Sequence, residues 1–396
     1  MSVPIAEPFA HAMMPRADHD ELARQNATLA FKLHMTDQVY PGDELVYERK
    51  TLPQFARKAG RAPKDKAEVR HLQMQEPYTQ MWSSIARTLQ EMQWNNMGEC
   101  VERQLPKLMD TAEKIASGRT RGTLRLKEGF ETPRYLSAVD IHAMPGSYGT
   151  TLGERDVFAG ALYDRGAYYY AKGLVGPMGD GTGRALVWVF RQMFADRKPQ
   201  RILDVGCGLG GSTLPWAQAF PDAEVHGIDV GAAMLRYGHA RAESMGVGVH
   251  LAQQDAEAMD FADGYFDVVA TSGVFHETSG RGSRGIMREI NRVLKPGGLS
   301  INSDIPHQHH NNLHDQFLLD WDCHYNAEPF WAQWTSMTSR ELMAQAGFRA
   351  ADVWERWRDR DHKGGFTLHE RPKDSAGESN RGGIGKGVFW GAAKSA

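Results

Sequence analysis

The sequence predicts an α/β protein, a doubly wound parallel sheet covered by helices, with an additional, mainly helical region before it. Three observations predict this. From about residue 184, short β-rich runs alternate with helical patterns, as they do when crossover helices join parallel strands. A glycine-rich turn, ILDVGCGLGGST at 202–213, links the first of those runs to a helical segment. Upstream, apolar residues recur at intervals of three and four over 78–115.

The elements follow in order. Residues 1–70 are polar and weakly patterned. Tyr78, Met81, Ile85, Leu89 and Met92 mark a first helix, and Val101, Leu105, Leu108, Ala112 and Ile115 a second, with Gly118 placed to end it. Pro106 either begins a separate helix or kinks a long one. Residues 120–183 are turn-rich. GLVGPMGDGTG there lacks the lysine of a phosphate-binding loop, so it reads as a connector. Strands are expected at 201–205, 224–229, 248–252, 266–272 and 298–303, and VFWGAA at 388–393 closes the chain as a strand. The polar, Gly-rich segment 358–387 is an excursion between the last two strands.

Composition narrows the function classes. With 396 residues, 41% hydrophobic and 24% charged, the chain has the make-up of an ordinary soluble protein of two domains. Apolar runs such as ALVWVF fall well short of the ~18 residues that span a bilayer, and no secretory signal is visible. Three scattered cysteines without a CxxC pair argue against a disulfide framework or zinc ribbon and fit a reducing cytoplasm. A net charge of -3 does not support general nucleic-acid binding. The basic stretch 49–70 reads as a solvated surface or linker, because only Phe55 interleaves with its charges.

The glycine turn points to a ligand brought close to the backbone and against a helix N-terminus. A dinucleotide fold has a similar turn, so later motifs decide. VHGIDV ends a strand with Asp229, 19 positions past Gly210, where a carboxylate can accept from ribose hydroxyls. QQDAEAMDF ends the next with Asp255, and FDVVATSGVFHE follows with Ser272 through His276. Together with EINRVLKPGGLSINSD, these motifs make residues 201–304 resemble the class I S-adenosylmethionine-dependent methyltransferases of the small-molecule kind.

The resemblance implies a Rossmann-like, seven-stranded sheet with an antiparallel last strand, and S-adenosyl-L-methionine as cofactor. It implies that Gly206 and Gly208 pass under the methionine moiety, and that Asp204 orients that loop or the amino group. Asp229 would hold the ribose, Val230 and Met234 flank the adenine, Asp255 and Ala256 meet its edge, and Ser272 line the floor near the sulfonium. The expected division is a mainly helical domain at 1–165 and a cofactor-binding catalytic domain at 166–396. The N-terminal helices, needing to bury an apolar stripe, either gate the substrate or join two subunits of a homodimer.

His276, His307 and Tyr169 are the candidate catalytic residues. A sulfonium methyl is already activated, so the protein must chiefly align the acceptor for in-line transfer and exclude water. His276, just past a strand end, is either a general base or a loop histidine shaping the pocket. If 304–317 is helical, His307, His310, His314 and Phe317 share a face. HNNLH has the i, i+4 spacing of zinc-binding helices but lacks the catalytic Glu of HExxH, so a polar, metal-free helix is expected. The tyrosines of DRGAYYYAKG, with Tyr169 at their centre, either close over the cofactor's methionine end or pack between domains. Trp321, Tyr325, Phe330, Trp331 and Trp334 are either core or the wall of an aromatic substrate pocket.

The expected function is therefore methyl transfer to a small, apolar or aromatic acceptor. The alternatives are a nucleic-acid methyltransferase, disfavoured by TSGVFH in place of an Asn/Asp-Pro-Pro-aromatic motif, and a non-catalytic cofactor-binding scaffold.

Overall fold

The computed structural model describes residues 11–173, 175–307, 312–360, 366–370 and 387–395. Its centre is one mixed sheet of nine strands among the described residues: β1 (Thr123–Arg125), β2 (Arg201–Val205), β3 (Glu224–Asp229), β4 (His250–Gln253), β5 (Phe266–Ser272), β6 (Leu294–Asp304), β7 (Trp354–Arg360), β8 (Phe366–His369) and β9 (Gly387–Ala393). The spatial order is β1-β4-β3-β2-β5-β6-β9-β7-β8. Pairing is parallel from β1 to β6 and antiparallel beyond it. The expectation of seven strands is corrected at both edges. Residues 123–125 extend the sheet beyond β4, with Leu124 opposite Leu251. Past residue 358 the chain turns back as β8, so part of the expected excursion is a hairpin pairing Trp357 with His369.

The strands form because their side chains are buried on both faces, as a helix-covered parallel sheet requires. On β2, Ile202 points to one core with Val225, Leu251, Leu186, Phe190 and Trp216. Its neighbour Leu203 points to the other, with Phe266, Ile286, Met287 and Ile290. Each such side chain contributes roughly 1.5–3 kcal/mol. Helix Gly280–Val293 covers the second face, started by Ser279, whose side chain accepts from the Gly282 amide. Helices Gly181–Met193 and Ala232–Ser244 cover the first.

The N-terminal part is helical from residue 19 onward. Pro106 lies in the first turn of a separate helix, Leu105–Ala116, after the long helix Pro77–Glu102. Helix His19–His34 and its successors show little apolar periodicity because their buried faces carry polar groups, among them Gln25, Thr28 and Asp43. Asp43 is fully buried and accepts from Trp82 Nε1 (2.9 Å), Gln73 Nε2 (3.1 Å) and the Thr79 hydroxyl. His314 Nε2 lies 2.9 Å from its Oδ2, tying these helices to the segment after β6. Helix Phe158–Tyr170 runs without a break across 165/166, the domain boundary expected from the resemblance. No helix among the described residues is long and apolar enough to cross a membrane.

Candidate active site

The strand order reverses between β2 and β5, and open α/β sheets bind ligands in the crevice at such a reversal. A cavity of about 220 Å³ lies here, lined by Gly206, Gly208, Asp229, Val230, Met234, Asp255, Ala256 and Ser272 among others. Eight of the nine expected cofactor residues thus share one cavity. The ninth, Asp204, is fully buried and off its wall. Its Oδ2 accepts from the hydroxyls of Ser212 and Thr213, both at 2.6 Å, so it braces the start of the helix after the turn. Burial pushes its pKa up to about 6, against the two hydroxyls that lower it.

The glycine turn is held from beneath. The Gly206 and Cys207 amides both donate to the Ile228 carbonyl, at 2.9 and 3.0 Å. The Gly208 amide donates to Asp229 Oδ2 at 2.8 Å, and the Gly231 amide to Oδ1 at 2.9 Å. Withdrawal from bulk water raises the pKa of Asp229, while those amides lower it. Gly206 and Gly208 have φ of 68° and 52°, which a side chain rarely adopts. A Cβ on Gly206 would meet Val274 Cγ2 at 2.5 Å, whereas one on Gly208 meets nothing within 4 Å. Open space above an amide-lined turn, with a carboxylate on the next strand, fits a nucleoside cofactor at this position.

Part of the remaining wall comes from chain outside the expected motifs. Tyr135, Tyr148, Tyr163 and Ala167 face the cavity from the N-terminal part, and Val175 and Thr182 from the glycine-rich connector. Tyr163 and Ala167 sit one turn apart on helix Phe158–Tyr170. Tyr169, on another face of that helix, is buried with Leu29, Trp94 and Met97. It does not line the cavity, so the packing reading of this residue fits its position.

His276 lies beside the cavity wall, in the short turn Phe275–Glu277. Its Nδ1 is 2.5 Å from Asp304 Oδ1 and its Nε2 3.4 Å from Glu277 Oε1. Burial disfavours its charge, but the two carboxylates outweigh burial and hold its pKa well above the usual histidine range. His276 thus bridges two carboxylates, Asp304 through Nδ1 and Glu277 through Nε2, and does not itself line the cavity. Glu277, next in sequence and not singled out by the motifs, lines the cavity instead.

Glu277 belongs to a buried cluster. His142 Nε2 lies 2.8 Å from Glu277 Oε1, while its Nδ1 contacts Glu328. The Tyr148 hydroxyl donates to Glu277 Oε1 at 3.2 Å and the Tyr170 hydroxyl to Glu328 Oε1 at 3.1 Å. His142 and Ala143 both have left-handed backbone, φ 59° and 55°, a strain of about 1–3 kcal/mol each. The His142 carbonyl is fixed by Gln90 Nε2 (2.7 Å) and Trp94 Nε1 (2.8 Å). Burial opposes a charge on His142, yet Glu328 and Glu277 raise its pKa to about 10. The three ligand-type groups of His142, Glu277 and Glu328 lie within 4.8 Å of one another. The carboxylates face opposite ring nitrogens, however, so His142 is clamped between them.

The segment after β6 corrects the expectation of a shared histidine face. The helix begins at Leu313, capped by Asn312, and His307 precedes it, while His310 lies outside the described residues. His307 Nε2 accepts from the Ser339 amide at 3.1 Å, and its ring packs 4.7 Å from Trp334, away from the cavity. His314 pairs with Asp43, as above. Of the downstream aromatics, Trp321 and Trp334 pack in the core, meeting Trp82 at 4.5 Å and Phe275 at 5.3 Å, while Phe330 backs the cavity residue Tyr135 at 5.8 Å.

A glycine turn thus lies at the reversal of a parallel sheet, with carboxylates at the ends of the next two strands. Residues 202–298 match the methyltransferase domain family model. The chain is 34% identical to the demethylmenaquinone methyltransferase of Thermus thermophilus over 111 residues, 28% of this chain and 50% of that protein. It is 38% identical to the demethylmenaquinone methyltransferase of Staphylococcus aureus over 124 residues, 29% of this chain and 48% of that one. The chain spans about half the length of these curated relatives. A solved phosphoethanolamine N-methyltransferase 2 from Haemonchus contortus, in complex with S-adenosyl-L-methionine, is 17% identical over 60% of this chain and 59% of that chain, with a TM-score of 0.40.

Proposed function

We propose that the protein is an S-adenosylmethionine-dependent methyltransferase acting on a small aromatic molecule. The observation that carries the reading is the single cavity lined by Gly208, Asp229, Asp255 and Ser272 from the ends of four neighbouring strands. The cofactor, when bound, supplies an activated methyl on a sulfonium. Everything else falls to the chain. Gly206 and Gly208 let the turn approach the methionine portion, and Asp229, fixed by the Gly208 and Gly231 amides, keeps lone pairs for ribose hydroxyls. Val230 and Met234 flank the adenine, and Asp255 and Ala256 meet its edge.

The tyrosines contributed by the N-terminal part support a gating role for it. Tyr135, Tyr148 and Tyr163 wall the remaining space with aromatic surface, favouring a flat apolar acceptor and excluding water. The curated relatives named above act, by their names, on demethylmenaquinone, whose ring is flat, as the tyrosine walls favour. Calorimetry with S-adenosylmethionine, followed by transfer of labelled methyl to an extract of small molecules, tests the reading. Binding with label in a small-molecule product is expected. Binding without transfer to any fraction would favour a cofactor-binding scaffold, and no binding would sink both.

A further inference from the structure

The groups around Glu277 are distributed unevenly over its two oxygens. His142 Nε2, His276 Nε2 and the Tyr148 hydroxyl all converge on Oε1, at 2.8, 3.4 and 3.2 Å. Oε2 is buried and has no hydrogen-bond partner. A buried carboxylate oxygen left without a donor is costly, and native proteins rarely leave one so. Glu277 nevertheless lines the cavity, 8% exposed, on the same wall system as Tyr148 and Tyr163. The terminal torsion of a glutamate is soft, and no hydrogen bond among the described residues holds Oε2 in place.

We infer that Glu277 is the acceptor-anchoring residue, and that the acceptor is a small aromatic molecule with a neutral O–H or N–H donor received by Oε2. This rests on the methyltransferase reading above and specifies its substrate class. The neutrality follows from the surroundings. Glu277 already faces two imidazolium N–H groups, so its free oxygen lacks a donor and not a counter-charge. An ammonium on the acceptor would sit beside two like charges. His142, pinned between Glu277 and Glu328, keeps Glu277 ionised and its Oε1 occupied, so only Oε2 is available. The His142 and His276 cations oppose proton uptake by Glu277, whose pKa they push below the usual carboxylate range against burial. It therefore anchors and orients a donor and does not strip its proton.

The test uses the full chain saturated with S-adenosylhomocysteine, with indole, its carbocycle indene and 2-aminoindane as probes, read by calorimetry. Indole can donate through N–H, indene cannot, and 2-aminoindane carries an ammonium at neutral pH. Indole is expected to bind about tenfold or more tightly than indene, the worth of a hydrogen bond to a charged group. In Glu277→Gln the three donors around Oε1 hold the amide oxygen there, leaving the NH₂ at the Oε2 position. The preference for indole is then expected to vanish while S-adenosylhomocysteine affinity stays within about threefold. Equal binding of indole and indene by the wild type, or undetectable binding of indole, would overturn the proposal without need of any variant. So would a preference that survives in Glu277→Gln, or tighter binding of 2-aminoindane than of indole. Failure of S-adenosylhomocysteine to bind would instead strike the methyltransferase reading on which the proposal rests.

Discussion

The Gly208 amide and the Asp229 carboxylate, 21 residues apart, are joined by a 2.8 Å hydrogen bond that closes the floor of the cavity. Asp229 also receives the Gly231 amide at 2.9 Å. One side chain thus sets the shape of the glycine turn and, on the proposed reading, receives the ribose. Asp229→Ala should weaken S-adenosylmethionine binding about ten- to hundredfold, since each charge-assisted hydrogen bond is worth roughly 1.5–3 kcal/mol. Calorimetry at a temperature where circular dichroism shows the fold intact is the check. Unchanged affinity would remove Asp229 from the ribose.

The two glycines of the turn should respond differently to a methyl group. Alanine at either position pays about 1–2 kcal/mol for left-handed backbone. At Gly206 it also meets Val274 Cγ2 at 2.5 Å, adding about 1–3 kcal/mol of overpacking. At Gly208 the methyl enters open space above the turn. Gly206→Ala should therefore lower Tm more than Gly208→Ala, while Gly208→Ala should lose cofactor affinity at least tenfold with most of its stability kept. Equal Tm losses with full cofactor affinity in Gly208→Ala would contradict both placements.

His276 is expected to carry its proton through the neutral range, because Asp304 and Glu277 together outweigh its burial. Its folded pKa lies above the unfolded one, so its contribution to stability is complete below pH 6.5 and fades only as pH rises through the raised value. If it positions Glu277 and takes no proton, His276→Gln should reduce turnover by less than about tenfold. The pH profile between 6 and 8 should keep its shape. A loss in the 10²–10⁴ range expected of a general base, with the limb near neutrality abolished, would restore the base reading.

What the sequence disclosed follows from where each signal is local. The glycine turn and the acidic strand ends are carried by contiguous residues, so Gly206, Asp229 and Asp255 could be read in place and share the cavity. The opposite wall was not legible, because Tyr135 and Tyr148 reach it from turn-rich chain with no periodicity. Glu277 stood beside His276 in the quoted FHE but bears no motif, and only the folded chain brings His142 and Glu328 to it. Helices before residue 75 escaped for a related reason. Their buried faces hold Gln25, Thr28 and Asp43, satisfied by distant partners, so the apolar stripe that betrays an amphipathic helix is missing. The histidine face expected over 304–317 failed because Asn312 caps the helix after His307, not before it.

Asp204 supplies a stability test. Its folded pKa of about 6 against an ordinary 3.8 corresponds to roughly 3 kcal/mol of cost when it is ionised. The sign follows from a folded pKa above the unfolded one. The favourable contribution is complete below 3.8 and is lost as pH rises through 6. Asp204→Asn keeps an oxygen for the Ser212 and Thr213 hydroxyls and carries no charge. The Tm of Asp204→Asn minus that of the wild type should therefore be more positive at pH 7.5 than at pH 4.5. A difference independent of pH would mean that Asp204 is ionised at no unusual cost.

The last prediction concerns the histidines of the segment after β6, where spacing alone invites a metal. His314 Nε2 is committed to Asp43 at 2.9 Å, and His307 Nε2 accepts the Ser339 amide at 3.1 Å, so each commits its Nε2 to a different partner within the chain. His314 therefore acts as a tie between the N-terminal helices and the catalytic sheet, aided by its stacking on Tyr47 at 5.1 Å. Removing it leaves the buried Asp43 short of one partner, which should cost about 3 kcal/mol. His314→Ala should accordingly lower Tm by several degrees while cofactor affinity, measured well below the transition, stays within about threefold of wild type. Methyl transfer by the wild type should be unaffected by a chelator. Restoration by a divalent ion of activity lost to chelation, together with loss of that ion in His314→Ala, would make the segment a metal site and overturn its assignment as a structural tie.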